Sequence, residues 1–318
     1  MYASRPVDLH IITSEDAIPV LEEKFQLVKR AAYPVRVFYY PLDAASIRKR
    51  ASRAGVETRY EAGVGGLVKI FMHEVLPTTV PKAIFFDTDM LFVTDPYLLW
   101  RQFDTFSGAQ IVSFPDLGSN STAMDICTCT MLLNLEAMRS TSTPFIGSEL
   151  FKDNQRALGT LEVFRKHGVN PRNPEFGDQG LYWAIWKEYP ERFRHLPLAW
   201  DTSHCRFSYG MTLDGDDSIS EQDHVQSQIN TYAAKEDFQQ LFPGILHFNC
   251  QNKFDVVWDA PENKSRKRWA SFVNLSLDYK WVWLNKGDGS AVVESTVVSD
   301  IVFWDQRTRR SHPHTAID

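Results

Sequence analysis

The first part of the chain alternates between short apolar runs and longer segments in which apolar residues recur with helical spacing. The run at 7–13 predicts a strand, and the pattern at 18–29 predicts a helix directly after it. A second strand is predicted at 35–40, followed by a helix at 44–53. Repeated strand–helix units are typical of a parallel sheet covered by helices.

The remaining apolar segments continue this pattern. After a glycine-rich turn, a helix is predicted at 67–76, ending near Pro77. Further helices are predicted at 158–167 and 179–186, and further strands at 83–86, 90–93, 110–114, 131–135 and 245–248. The last ~40 residues are interpreted as appended strands with a loose terminus. The predicted fold class is α/β, with a Rossmann-like, mainly parallel central sheet and helices on both faces.

Composition narrows the class of protein. The 318 residues are 43% hydrophobic and 23% charged, as in an ordinary globular protein. No run approaches the ~20 apolar residues that span a bilayer, so we expect no membrane span in this chain. The formal net charge of -6 argues against a nucleic-acid partner, which generally needs a concentrated basic surface. Oligomeric state cannot be predicted from these features.

Two acids interrupt an apolar strand at Asp87-Thr88-Asp89. In extended backbone, residues two apart point to the same side, so both carboxylates can reach one point while Thr88 faces away. Oxygen ligands of this kind suit Mg²⁺ or Mn²⁺, which often complete their shell with substrate phosphates. The alternative is a helix cap or a turn after a strand.

Two further segments carry candidate chemistry. In the first, His247 could complete a manganese shell and Lys253, six residues on, could reach a diphosphate. The alternative for His247 is a hydrogen-bonded structural histidine. In the second, Asp178 could bind sugar hydroxyls and Gln179 could lie beneath the anomeric carbon. The alternative for Asp178 is a helix N-cap, and both roles could hold together.

The four cysteines and the sequons bear on the compartment. Cys127 and Cys129 are too close in sequence to pair readily, while Cys205 and Cys250 could form a long-range disulfide; the alternative is four buried free thiols. Sequons beginning at 120, 263 and 274 are compatible with a secretory lumen, whereas no signal peptide is visible. We therefore expect a Golgi or ER lumen protein if an upstream anchor has been trimmed, and otherwise a cytoplasmic one.

The order of these segments resembles glycosyltransferase family 8. The segments are IFFDTDM, MLLNLEAM, GDQ and HFNCQNK, and the resemblance extends from Val7 to about Lys253. MLLNLEAMR, GDQ and the Asn-Cys pair after the histidine are most similar to the xyloside xylosyltransferases, with LARGE-type xylosyltransferase domains more distant. The resemblance implies a GT-A fold, retaining transfer from a UDP-sugar to a glycan or glycoprotein acceptor, and Mn²⁺ (or Mg²⁺) as cofactor.

The resemblance also implies roles for single residues. The metal ligands would be Asp87, Asp89 and His247, and Asp178 and Gln179 would lie at the donor sugar. The donor nucleotide would be bound by residues from three segments of the chain, namely Ile12, Thr13, Ser14, Thr88, Cys250 and Lys253. Cys250 matches a cysteine that is disulfide-bonded in that subgroup, which favours a Cys205–Cys250 bridge. One glycosyltransferase domain at 1–318 would comprise a nucleotide and metal half (1–115), a sugar and acceptor half (116–260) and a C-terminal extension (261–318).

The chain departs from the family pattern at two positions. Cys127-Thr128-Cys129 replaces the usual Asn-Ser-Gly, and Gly180 replaces an aspartate in Asp-Gln-Asp. Both lie near the donor sugar in the family, so the sugar (xylose first, glucose or galactose otherwise) stays open. Two other functions remain as alternatives: a metal-dependent phosphohydrolase using the same acids, and a non-catalytic module that binds a glycan or sugar nucleotide.

Overall fold

The chain forms twelve strands and eight α-helices within the residues that the structure describes. This computed structural model describes residues 3–26, 34–60, 62–116, 121–140, 143–146, 157–203, 244–247, 293–298, 302–305 and 310–313. The strands are β1 (Val7–Thr13), β2 (Val35–Pro41), β3 (Ala83–Phe86), β4 (Met90–Phe92), β5 (Val112–Phe114), β6 (Thr130–Leu133), β7 (Phe193–His195), β8 (Thr202–Ser203), β9 (Ile245–His247), β10 (Val293–Val297), β11 (Val302–Asp305) and β12 (Arg310–Pro313). The helices are α1 (Ile18–Gln26), α2 (Ala44–Arg53), α3 (Gly63–Gly66), α4 (Met72–Val75), α5 (Pro96–Trp100), α6 (Leu135–Met138), α7 (Leu161–Lys166) and α8 (Asp178–Glu188).

Two main sheets carry the fold. The first has the order β1-β2-β10 and is parallel throughout. The second has the order β3-β6-β5-β7, in which β6 is antiparallel to both of its neighbours and β5 is parallel to β7. A smaller sheet of β4, β9 and β8 lies at the candidate site. The predicted α/β class is confirmed, and the C-terminal segment contributes strands as predicted.

Local sequence explains where several helices begin. Asp43 precedes α2 and its carboxylate accepts a hydrogen bond from the backbone N–H of Ser46 at 2.6 Å. Thr160 caps α7 in the same way, accepting from the backbone N–H of Val163 at 3.2 Å. These side chains satisfy backbone donors that have no partner inside a helix.

The prediction of one continuous helix at 67–76 is wrong. This stretch consists of the 3₁₀ segment Leu67–Phe71 followed by the short α4. Phe71 departs from helical geometry with φ -109° and ψ 10°, which separates the two segments. Leu76 is extended with ψ 142°, as the residue before Pro77 should be, so the predicted end near Pro77 is confirmed.

A buried arginine closes the loop between α4 and β3. The Arg139 guanidinium donates to the carbonyl oxygens of His73 at 2.7 Å, Leu76 at 2.9 Å, Val80 at 3.0 Å and Pro77 at 3.2 Å. A buried carbonyl without a donor is costly, so this one side chain satisfies a loop that cannot pair within a sheet.

The main hydrophobic core packs the second sheet against α8 and the helical segments that precede β3. Its fully buried side chains include Phe71, Phe114, Phe145, Tyr182 and Leu133. A separate cluster around Trp200 packs beneath β9. Among the residues that the structure describes, no helix is both long enough and apolar enough to cross a bilayer.

Candidate functional site

Three short strands bring distant acids together with one histidine. Met90, the first residue of β4, lies opposite His247 at the end of the antiparallel β9, so Asp89 comes next to the imidazole. On the other side of β9, the parallel strand β8 places Ser203 opposite His247. Asp201 directly precedes β8 and therefore also reaches the ring.

Asp87, Asp89 and His247 form one cluster. Single ligand atoms from the three side chains lie within 4.8 Å of one another. His247 Nε2 is 3.6 Å from Asp89 Oδ1. The side chains of Asp87 and Asp89 are 31% and 40% exposed, whereas that of His247 is 4% exposed, so a ligand can approach from the carboxylate side.

The backbone reason for this convergence differs from the one predicted. Thr88 and Asp89 form a turn between β3 and β4, and Asp87 donates its backbone N–H to the carbonyl of Cys129 at 2.9 Å. Continuous extended backbone at this segment is therefore the wrong local geometry. The carboxylates meet because the turn and the β4–β9 pairing bring them together.

A buried carboxylate holds the histidine ring. His247 Nδ1 is 2.8 Å from Asp201 Oδ1, and both side chains are buried. Burial lowers the pKa of His247, but Asp201 and Asp89 outweigh it and raise the pKa to about 9. The predicted alternative of a hydrogen-bonded histidine is thus true, and it is compatible with metal binding, because ligating histidines commonly donate their other nitrogen to a carboxylate.

The donor set fits a hard divalent cation. With Nδ1 bonded to Asp201, the other ring nitrogen faces Asp89, the orientation that a ligand needs. Burial raises the pKa of Asp87, whereas the pKa of Asp89 is lowered because His247 outweighs its burial. Two carboxylates with one imidazole suit Mn²⁺ or Mg²⁺, whose binding would displace the proton from His247.

Lys69 neutralises the acids next to this cluster. Its ammonium lies 2.9 Å from Asp87 Oδ1 and 3.7 Å from Asp178 Oδ2. Burial lowers the pKa of Lys69, but Asp178 and Asp87 outweigh that effect and raise it. The positive charge of Lys69 therefore links Asp87 of the metal cluster to Asp178 at the start of α8.

Asp178 and Gln179 lie at the start of α8 and are both buried. Asp178 Oδ2 accepts a hydrogen bond from Thr128 Oγ1 at 2.8 Å, and Gln179 Nε2 donates to the carbonyl of Ala123 at 2.6 Å. Burial raises the pKa of Asp178 to about 6, although Lys69 opposes the shift. The alternative of an Asp178 N-cap is wrong: Gly177 is the N-cap residue, with φ 64°, and Asp178 is the first helical residue.

Gly180, which stands where the resemblance would place an aspartate, occupies a position with no room for a side chain. A Cβ atom at Gly180 would come within 2.4 Å of the carbonyl oxygen of Glu175. The segment before α8 thus lies directly against the helix backbone, and no larger residue fits at 180 without displacing it.

The second segment that departs from the family pattern, Cys127-Thr128-Cys129, contains a disulfide. Cys127 and Cys129 are bonded, with their Cα atoms 5.3 Å apart, so the prediction that they are too close in sequence to pair is wrong. The Cα separation lies inside the usual range for disulfides because the chain bends where it enters β6. Thr128 between them faces the other way, toward Asp178.

The remaining predicted residues fall into two groups. Ile12 packs against the main core, while Ser14 and Thr88 are exposed and Thr13 is half-buried at the end of β1. Their nucleotide contacts stay a prediction. The second group, Cys205, Cys250 and Lys253, lies outside the described residues, as does the proposed Cys205–Cys250 bridge.

Sequence reasoning missed two residues of the site, Lys69 and Asp201, and named Thr128 only as part of a departure from the family pattern. Lys69 is a lone charge in the apolar stretch Leu67–Phe71, and Asp201 follows the buried Leu198–Trp200 turn. A charged residue within an apolar run could have identified both of them. Burying a charge without a partner is costly, so such a residue is expected to contact an opposite charge or a ligand.

Comparisons with known proteins identify relatives in sequence and in fold. No protein-family model matches the chain. The chain is 27% identical over 214 residues to the mouse xylosyl- and glucuronyltransferase LARGE2, covering 63% of this chain and 28% of the relative. It is 23% identical over 292 residues to human LARGE2, covering 87% of this chain and 34% of the relative. It therefore spans about a third of these curated relatives.

One solved structure shows the fold. Mouse xyloside xylosyltransferase 1 in its apo form superposes with a TM-score of 0.52 at 20% identity, covering 77% of this chain and 85% of that one. The GT-A fold expected from the sequence is thereby confirmed. The chain is related in sequence to sugar-transferring enzymes and has the fold of a GT-A glycosyltransferase.

Proposed function

We propose that this protein is a metal-dependent retaining glycosyltransferase that moves a sugar from a UDP-sugar to a glycan or glycoprotein acceptor. The observation that carries the proposal is the convergence of Asp87, Asp89 and His247 within 4.8 Å, on a fold shared with a xylosyltransferase. Membership of glycosyltransferase family 8 and xylose as donor sugar are part of the proposal. A lumenal location in the Golgi or ER is also part of the proposal, because the sequons beginning at 120, 263 and 274 are compatible with a secretory lumen.

We assign a separate role to the metal ligands and to the residues expected at the nucleotide. Asp87, Asp89 and His247 would hold Mn²⁺ or Mg²⁺, which when bound neutralises charge on the diphosphate. Lys253 would approach the same diphosphate, and Thr13, Ser14 and their neighbours would contact uridine.

Asp178 and Gln179 are proposed to bind and orient the donor sugar. With a pKa of about 6, the Asp178 carboxyl group is mostly ionised at neutral pH and can accept hydrogen bonds from hydroxyl groups. Gln179 is held by its bond to the carbonyl of Ala123, which fixes the direction of its amide. Both side chains are thus set before a donor arrives, which favours a reactive geometry.

We favour front-face substitution. In that route the bond from the anomeric carbon to the diphosphate oxygen breaks, the acceptor oxygen bonds to the same face, and the acceptor proton passes to the departing diphosphate. A double displacement would need a nucleophile beneath the sugar, and the amide of Gln179 is a poor one.

The test is UDP release from a panel of UDP-sugars with Mn²⁺, with and without acceptor glycans. We expect release with UDP-xylose above UDP-glucose or UDP-galactose, and a loss of at least about a hundredfold in Asp89→Asn. Asp104→Asn is a matched control, because that carboxylate is 72% exposed. Cleavage of simple phosphoesters would instead support a phosphohydrolase, and nucleotide binding without turnover would support a binding module.

A further inference from the structure

We propose that Cys127, Cys129, Asp201 and His247 form a second metal site, which binds a thiophilic divalent cation such as Zn²⁺ once the Cys127–Cys129 disulfide is reduced. The two Sγ atoms, a carboxylate oxygen of Asp201 and a ring nitrogen of His247 lie within 4.8 Å of one another. All four side chains are buried. Thiolate, imidazole and carboxylate are the ligands that zinc takes in proteins.

The spacing is close to that of a tetrahedral site. Zinc lies ~2.3 Å from sulfur and ~2.0 Å from nitrogen or oxygen, so its ligands are about 3.3–3.8 Å apart. The two sulfur atoms, which are bonded to each other, must therefore move apart to that spacing. The ligand atoms of Asp201 and His247 lie within 4.8 Å of them and need to approach by up to about 1.5 Å. Rotation of the two cysteine side chains, which becomes possible when the S–S bond breaks, can supply that movement.

The backbone keeps both sulfur atoms on the side of the histidine. Cys127 donates its N–H to the carbonyl of Pro115 at 3.0 Å, and the carbonyl of Cys129 accepts from Asp87 at 2.9 Å. Thr128 points the opposite way and donates to Asp178. None of these bonds involves the disulfide, so reduction leaves the backbone of both cysteines in place while their side chains become free to rotate.

Asp201 supplies an independent sign of a ligand. Its Oδ1 bonds to His247, but its Oδ2 has no hydrogen-bond partner within the described part of the chain. The residue is 0% exposed, and a buried carboxylate oxygen without a donor is costly. A cation bound between Asp201 and the two sulfurs would satisfy this oxygen.

The chemistry requires a thiol reductant. A dithiol breaks the S–S bond, is itself oxidised to a disulfide, and leaves two cysteine thiols. Binding of the cation then displaces both thiol protons, because thiolate is the ligand form. The oxidised protein lacks these thiolates and should not form the site.

The second site competes with the first for His247. This consequence rests on the proposed function. His247 Nε2 faces Asp89, so a cation that takes this nitrogen removes a ligand from the first site. A cation that takes Nδ1 breaks the bond to Asp201 that orients the ring. In either case, Zn²⁺ should inhibit the reduced protein at lower concentrations than the oxidised one, which lacks the thiolates.

The experiment uses Co²⁺ as a spectroscopic probe of the full chain. The protein is reduced with a dithiol, which is then removed by anaerobic gel filtration, since dithiols themselves bind Co²⁺. Alkylation and mass measurement confirm that all four cysteines are thiols. We expect thiolate-to-cobalt charge transfer and tetrahedral d–d absorption that saturate at one Co²⁺ per chain and that Zn²⁺ abolishes. The oxidised protein should show neither band.

Variants assign the signal to these residues. Cys127→Ser and Cys129→Ser should each remove or strongly weaken the charge-transfer band, whereas Cys205→Ser should keep it. Absence of the band in fully reduced wild type, its survival in Cys129→Ser, or its loss in Cys205→Ser would each overturn the proposal. Inhibition of UDP release by Zn²⁺ is measured separately. A protein that releases no UDP in either redox state would count against the proposed function and leave the cobalt result intact.

Discussion

Asp201 Oδ1 lies 2.8 Å from His247 Nδ1 in the protein interior, and this bond turns the other ring nitrogen toward Asp89. The acid directly precedes β8 and the histidine ends β9, and these two short strands pair with each other. Their contact links the pairing of β8 and β9 to the ability of the site to hold an ion.

Asp201→Asn should weaken Mn²⁺ binding by about 10- to 100-fold, because the amide no longer stabilises the ring as a carboxylate does. Mn²⁺ titration followed by electron paramagnetic resonance measures the affinity. Asp104→Asn, an exposed acid, is the control and should bind as wild type does. Equal affinities in the two variants would show that Asp201 does not position the ligand.

Lys69→Met should destabilise the metal-free protein by about 3 kcal/mol, because Asp87 and Asp178 then lose the cation between them. Mn²⁺ should restore part of this loss by supplying positive charge beside Asp87. Urea unfolding with and without Mn²⁺ gives both values. Lys49→Met, on the exposed face of α2, should change neither, and a metal-independent loss in Lys69→Met would contradict the expected rescue.

Arg139→Lys should cost about 2–4 kcal/mol, although it keeps the charge. An ammonium cannot reach the four carbonyl oxygens that the planar guanidinium contacts, and those left buried lose their donors. Chemical denaturation measures the change. Arg101→Lys is the matched control at an exposed position and should lie within about 0.5 kcal/mol of wild type.

His73 should make the protein acid-sensitive. Burial, with Arg139 adding to it, lowers the pKa of His73 to about 3, so the folded state leaves it neutral while the unfolded chain protonates it below 6.5. Stability is then lost as the pH falls through 6.5 toward 3, at up to about 1.4 kcal/mol per pH unit.

The measurement is the difference in unfolding free energy between wild type and His73→Phe from pH 7 to pH 5. The variant lacks the titrating group, so this difference should shift in favour of the variant as the pH falls. A difference that stays constant over that range would mean that His73 does not titrate as inferred.

Gly180→Ala should destabilise α8 by more than about 2 kcal/mol, because the added Cβ meets the Glu175 carbonyl oxygen at 2.4 Å. Gly65→Ala is the contrasting control: nothing lies within 4 Å of its Cβ, so alanine should be neutral or stabilising. Thermal unfolding compares the two. If Gly180→Ala unfolds at the same temperature as wild type, the segment before α8 is free to move.

Sequence patterns were sufficient where the information is local. The strands Val7–Thr13 and Ala83–Phe86 and the helix Ala44–Arg53 have the predicted bounds, since apolar spacing and a capping aspartate define them. Asp87, Asp89 and His247 were predicted to act together, and the structure brings them together.

Long-range relations could not be predicted in the same way. The contact between Asp201 and His247 depends on the pairing of β8 with β9, and that of Lys69 with Asp87 depends on how the 3₁₀ segment packs against β3. The Cys127–Cys129 bond depends on a backbone bend that composition does not encode. Each of these features is set by tertiary packing.

The strand β10 has a consequence for synthesis of the chain. Val293 pairs in parallel with Val35, so the first sheet joins two segments that lie far apart in sequence. During translation β2 emerges well before β10, so one edge of β2 stays without its neighbour until the segment between the two strands has been made. An open parallel edge is a template for pairing with other chains. The nascent protein is therefore exposed to misassembly at β2 over that interval, and loss of β10 would make that exposure permanent.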